Sequence, residues 1–101
     1  MQTLLKQQND FAHAVAKLIE KAFQLGYHVT LGEAYRDPNA TWGSKKSFHK
    51  KRLAIDVNLF DKDWIYLTDT EHHKKLGEWW ESVGGTWGGR LNDGNHYSWG
   101  E

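Results

Sequence analysis

The chain has no cysteine and a single proline among its 101 residues, and its 13 basic residues cancel against 13 acidic ones. Without cysteine there is no disulfide and no thiolate ligand, so any bound metal must sit on histidine and carboxylate. The zero formal charge removes the electrostatic footprint that a nucleic-acid or anionic-membrane binder carries. No apolar run approaches the roughly 20 residues of a membrane span, and Met1 to Asp10 holds no signal-peptide core. The expectation is a soluble, cytosolic, monomeric chain with no nucleic-acid partner and no membrane span. What the chain does have is 39% hydrophobic residues, 14% aromatic residues and six tryptophans, enough for one compact domain over residues 1–101. No second domain is expected.

Helical spacing relates Leu4, Leu5, Phe11, Val15, Leu18, Ile19, Ala22 and Phe23, and Gly26 follows where a helix C-terminus favours a left-handed residue. This predicts a helix over about 3–25. Residues 27–35 read as a strand, and Asp37-Pro-Asn-Ala as the turn that ends it. Residues 37–52 show neither period and read as a long loop delivering His49. Ala54 to Phe60 alternates, with Ile55, Val57 and Leu59 on one face and Asp56, Asn58 and Phe60 on the other. Thr70 to Val83 reads as a second helix closed by Gly84-Gly85, and Gly88 to Trp99 as a loop with a short terminal strand. The class predicted is α+β: a small antiparallel sheet with the long N-terminal helix and the second helix on one side and a metal cleft on the other.

Two stretches carry the chemistry, Ser47-Phe-His-Lys-Lys-Arg-Leu-Ala-Ile-Asp56 and Asp93-Gly-Asn-His96. Two neutral imidazoles and a carboxylate fill three positions of a tetrahedral zinc site, and a second carboxylate supplies a general base. His49, Asp56 and His96 are the candidate ligands and Asp93 the candidate base. On a continuous strand, His49 and Asp56 would fall on opposite faces, so the period must break between them, at Lys50-Lys51-Arg52. Other readings compete: Asp56 as a partner of Lys50 or Arg52, His96 as a core histidine, Asp93-Gly as a plain turn, and Arg36 in an ion pair with Glu33 or Asp37. His72-His73 reads as solvated helix surface, and His13 and His28 as structural. Trp64, Trp79 and Trp80 read as core, while Trp42, Trp87 and Trp99 are candidates to line a cleft. The cluster of Lys45, Lys46, Lys50, Lys51 and Arg52 reads as a solvated loop.

Ser47, His49, Asp56, Asp93 and His96, with Ala54 between them, resemble the pattern of the LAS-type zinc peptidases: Ser-x-His-(x)6-Asp, then an acidic residue three before a final His. That family includes D-Ala-D-Ala carboxypeptidases, D,D-dipeptidases, phage L-alanyl-D-glutamate endolysins and the hedgehog signalling domain. Gly32-Glu-Ala-Tyr-Arg36 is similar to the family's arginine segment and Trp87-Gly-Gly-Arg90 to its approach to the last motif. The chain looks most like the small phage endolysins. Many relatives carry Gly where Arg52 stands, and Tyr97-Ser98 replaces a commoner pair. The resemblance implies Zn2+ on His49, Asp56 and His96, with Asp93 as base and Arg36 steadying the carbonyl oxygen or a substrate carboxylate. Ser47, Asn58 and Tyr97 would support the site. It implies peptidoglycan stem peptides as substrate, cut between L-Ala and D-Glu, with a D,D-carboxypeptidase or dipeptidase and a non-enzymatic zinc domain as alternatives. It also implies action on the wall from the host bacterial cytoplasm through a separate pore.

Overall fold

A computed structural model describes residues 3–44 and 46–100, and Lys45 of the basic cluster lies outside the described residues. Helix α1 spans Leu4–Gln24, and the Thr3 side chain caps it by accepting from the Lys6 N–H at 3.1 Å. Phe11, Ala14, Leu18 and Ala22 form its buried stripe, the three-to-four spacing of an amphipathic helix. Gly26, at φ +93°, turns the chain out of the helix.

Strands β1 (His28–Leu31), β2 (Ala54–Phe60), β3 (Tyr66–Leu67), β4 (Thr86–Trp87) and β5 (His96–Ser98) form an antiparallel sheet. Its order is β1-β2-β5-β4, with β3 also on β2. The centre is β2, whose first half pairs with β5 (Ala54 opposite Ser98, Asp56 opposite His96) and whose second half pairs with β1 (Val57 to Phe60 opposite Leu31 to His28). Its alternation is as the sequence indicates: Ile55, Val57 and Leu59 are buried, and Asp56, Asn58 and Phe60 face the other way, half-buried.

Helix α2 occupies only Lys74–Ser82, preceded by a 3-10 turn over Thr70–His73. The core joins Phe11 and Leu18 of α1, Leu76 and Trp80 of α2, and Val57, Leu59, Trp87 and Tyr97 of the sheet. Trp80 lies at its centre, edge-on to Phe11 and Tyr97, with its indole N–H on the Ser98 carbonyl at 3.0 Å. This satisfies the one polar group that burying a tryptophan brings. The architecture is the α+β arrangement expected, both helices covering one face of the sheet.

Several expectations change. The strand predicted over 27–35 leaves regular pairing after Leu31, although Gly32 N–H still donates to the Asp56 carbonyl and Asp56 N–H to that of Glu33. A β-carbon on Gly32 would stand 3.0 Å from that of Asp56, so glycine lets the two backbones approach without pushing the Asp56 side chain aside. His73 is 3% exposed rather than solvated, and shares a 2.8 Å hydrogen bond with the Tyr97 hydroxyl. Trp64 is 63% exposed rather than core, because the hairpin between β2 and β3 holds it at φ +65° and turns its side chain outward.

Candidate functional site

The break in period required between His49 and Asp56 is present. Residues Phe48–Lys51 form a 3-10 turn, and Arg52 ends it in the left-handed region at φ 57° before β2 begins. The turn starts at Ser47, whose hydroxyl accepts from the His49 N–H at 3.2 Å, so Ser47 orients the segment that carries the histidine. Three further bonds fix it: Arg36 N–H to the His49 carbonyl, the Lys50 ammonium to the Ala40 carbonyl, and the Gln8 amide to the Lys51 carbonyl. Arg52 thus holds a left-handed conformation that glycine adopts without strain.

The last motif is held from three sides. Trp87 donates its indole N–H to the Gly94 carbonyl at 2.8 Å, and Gly94 N–H donates to the Thr70 hydroxyl at 3.1 Å. A β-carbon on Gly88 would lie 2.4 Å from the Asp93 carbonyl oxygen, so the chain passes close beneath the loop. His96 then enters β5 directly opposite Asp56.

These constraints bring one ligand atom each from His49, Asp56 and His96 within 4.8 Å of one another. Asp56 Oδ1 lies 3.2 Å from His49 Nε2 and 3.6 Å from His96 Nδ1. Burial pushes the Asp56 carboxyl up, but hydrogen bonds from both imidazoles, and their charges, outweigh it and hold the group at about 2. The carboxylate is therefore ionised at neutral pH, the form that a metal requires. The other nitrogen of His49, Nδ1, is buried with no hydrogen-bond partner among the described residues and stands 3.7 Å from Glu33 Oε1. An imidazole with Nε2 in the cluster and Nδ1 aimed at a carboxylate is the arrangement of a metal-ligating histidine. The donor set and this orphaned nitrogen fit a zinc ion.

The cluster lies in an open cleft of about 430 Å³ whose wall includes Arg36, Ser47 and Lys46, with Asp93 beside the cluster but not in it. Asp93 is exposed, so its carboxylate is open to solvent on the wall of the cleft. Arg36 forms a two-pronged ion pair with Glu33, through Nε to Oε2 at 3.3 Å and through Nη2 to Oε1. The Arg36 guanidinium in turn holds the Glu33 carboxyl below its usual range. Gly43, at φ +73°, leaves room for that guanidinium, since a β-carbon there would lie 2.1 Å from Nη1.

Not every expected residue is here. Tyr97, adjacent to His96 on a strand, points to the opposite face and is fully buried against His73. Asn58 bonds Thr30 and Tyr66 rather than the cluster. Trp87 is 4% exposed in the core, and Trp99 packs on Trp80, while Trp42 is exposed, does not line the cleft wall, and reaches the site only through a side-chain hydrogen bond to the Glu33 carboxylate. Glu33 is the residue that the sequence reading undervalued. Its three-residue spacing from Arg36 signalled the ion pair, but its approach to His49 joins residues 16 apart in sequence, which no local pattern reveals.

A protein-family profile described as D-alanyl-D-alanine carboxypeptidase matches residues 41–99. The matched span includes Ser47, His49, Asp56, Asp93 and His96, and leaves Glu33 and Arg36 outside. A search of curated proteins finds no match.

Proposed function

The chain belongs to the peptidase family described as D-alanyl-D-alanine carboxypeptidase, and from that premise we propose that it is a zinc-dependent L-alanyl-D-glutamate endopeptidase acting on peptidoglycan stem peptides. The observation that carries the peptidase reading is the convergence of His49, Asp56 and His96 within 4.8 Å, with the Asp93 carboxylate on the wall of the same cleft. When bound by these three side chains, zinc supplies Lewis-acid polarisation of the scissile carbonyl and acidifies water.

The protein's own groups do the rest. Asp93 accepts the proton of the attacking water and returns it to the leaving amine, as a solvent-facing carboxylate beside the cluster is placed to do. Glu33 places its negative charge 3.7 Å from His49 Nδ1, which favours the tautomer with the proton on that nitrogen, and it fixes Arg36 by the two-pronged pair. Arg36 then presents its remaining N–H groups to the carbonyl oxygen as negative charge develops.

The Glu33 pairing also supports an endopeptidase over a carboxypeptidase. A carboxypeptidase must grip a free C-terminal carboxylate, and Arg36 is already engaged by a carboxylate of its own. The D,D-carboxypeptidase reading keeps support from the family's description and from Lys46 on the cleft wall. The two separate by product analysis. Purified peptidoglycan is digested by the zinc-loaded protein, then with chelator, then with zinc returned, and the fragments are read by mass spectrometry. New L-Ala carboxyl and D-Glu amino ends that vanish on chelation support the endopeptidase; free D-Ala supports the carboxypeptidase; no release in any condition refutes both.

A further inference from the structure

On the same face of β2 as Asp56, two and four residues further along, stand Asn58 and Phe60. At about 3.3 Å per residue, Phe60 lies about 13 Å from the cluster. Around it the surface is aromatic: Trp64 is 63% and Tyr66 50% exposed, and Phe60 lies 6.3 Å from the Trp64 ring and 5.2 Å from that of Tyr66. The Trp64 ring stacks flat on His28, with centroids 3.8 Å apart and planes 3° from parallel. One ring face is thereby backed and the other left to solvent.

This display is built against a conformational cost. Trp64 has φ +65°, a left-handed conformation that costs a bulky residue about 1–2 kcal/mol. Asp61 imposes it: its carboxylate accepts from the N–H of Asp63 and of Ile65 at 2.8 and 3.0 Å, and its carbonyl accepts from Trp64 N–H at 3.0 Å. Strain held by a dedicated network points to a use for the displayed group. Between platform and cluster the face is polar, with the Asn58 amide donating to the Thr30 hydroxyl and accepting from that of Tyr66.

We propose that Trp64, backed by His28 and flanked by Phe60 and Tyr66, is a carbohydrate subsite that stacks a sugar ring of the glycan strand from which the stem peptide hangs. The inference rests on the peptidoglycan reading of the cleft. A flat exposed indole beside hydroxyl and amide groups suits a hexosamine, whose C–H face is apolar and whose rim is polar; a protein partner would favour a broader continuous apolar surface. The spacing agrees as well. The bond after the first stem residue is separated from the sugar by that residue and one lactyl unit, about 7 Å at the reach of an extended chain, and the ring itself adds the remaining few ångströms. The bond between the terminal D-alanines lies several residues further out, beyond this reach.

The test separates the two sites. Zinc-loaded protein is titrated with glycan strands stripped of their peptides, and binding is followed by tryptophan fluorescence and co-sedimentation. The wild type binds, Trp64→Tyr retains binding, and Trp64→Ala weakens it about tenfold. Trp64→Gly, which suits the left-handed φ, keeps the fold and loses binding equally. Hydrolysis of a sugar-free stem peptide stays within about twofold in all variants, whereas hydrolysis of intact walls falls severalfold in the alanine and glycine variants. Failure of the wild type to bind stripped glycan, or wild-type binding by the alanine and glycine variants, overturns the subsite while leaving the peptidase untouched. Binding without hydrolysis of any substrate keeps the subsite and overturns the peptidase.

Discussion

At the scale of single residues the proposed site divides into candidate metal ligands and a candidate proton carrier, and substitution tells them apart. Asp93 lies outside the ligand cluster. Asp93→Asn is therefore expected to lower kcat by about 10²- to 10⁴-fold with zinc content unchanged by elemental analysis. Loss of the metal along with activity would make Asp93 a ligand and remove it as base. Glu33 differs, because its Oε1 faces the buried Nδ1 of His49. Glu33→Gln keeps the shape but withdraws the charge that stiffens and polarises that imidazole, and carboxylate partners of this kind are worth about 10- to 100-fold in metal affinity. Competition against a chromophoric chelator should show that weakening with no substrate present. An unchanged zinc affinity would reduce Glu33 to a clamp on Arg36.

Among the elements, what was legible in the sequence is what repeats. Helix α1 and the alternation of β2 have enough turns and residues for a period to appear, and both elements stand where predicted, although of the predicted helical stripe Phe11, Leu18 and Ala22 are buried while Leu4, Leu5 and Phe23 at its ends are exposed. The convergence of His49, Asp56 and His96 was legible because their spacing is a chemical pattern rather than a periodic one. Strands β3 and β4 have two residues each, too few for any period, and they exist only because β2 and β5 offer edges. His73 was misread because the chain before α2 winds as a 3-10 turn, which rotates it inward to meet Tyr97. That contact has a pH signature. Burial, and then the charge of His72, lower the His73 imidazole from 6.5 to about 4. Between those values the unfolded chain binds the proton and the native one does not. The stability is thus complete above about pH 6.5, is lost progressively as pH falls to about 4, and stays constant in this respect below. At about 1.4 kcal/mol per pH unit the loss approaches roughly 3 kcal/mol. Urea unfolding of chelator-treated protein across this range should show a steeper loss for wild type than for His73→Gln, whose amide keeps a bond to Tyr97 without titrating. Equal slopes would mean that His73 is not held neutral.

For the molecule as a whole, the sheet divides labour between its faces: helices α1 and α2 and the aromatic core on one, the cluster, cleft and Trp64 on the other. The three candidate ligands come from the 3-10 turn after Ser47, from the middle of β2 and from the start of β5, so a bound ion ties together segments that are remote in sequence. In an unfolded chain these groups are dispersed, so zinc held by them would bind the native state preferentially. By mass action, free zinc at about a thousand times its Kd contributes about 4 kcal/mol. In a domain of this length 1 kcal/mol moves Tm by about 4–8 °C, so chelation should lower Tm by roughly 15–30 °C and zinc should restore it. His96→Ala, which removes a candidate ligand on the cleft side of β5 and leaves the core residues Tyr97 and Ser98 in place, should hold Tm near the chelated value with or without zinc. A melt indifferent to chelator would show that the native fold does not use the cluster to hold metal, whatever the activity. A zinc-dependent melt abolished by His96→Ala would tie the metal to this cluster before any substrate is tested.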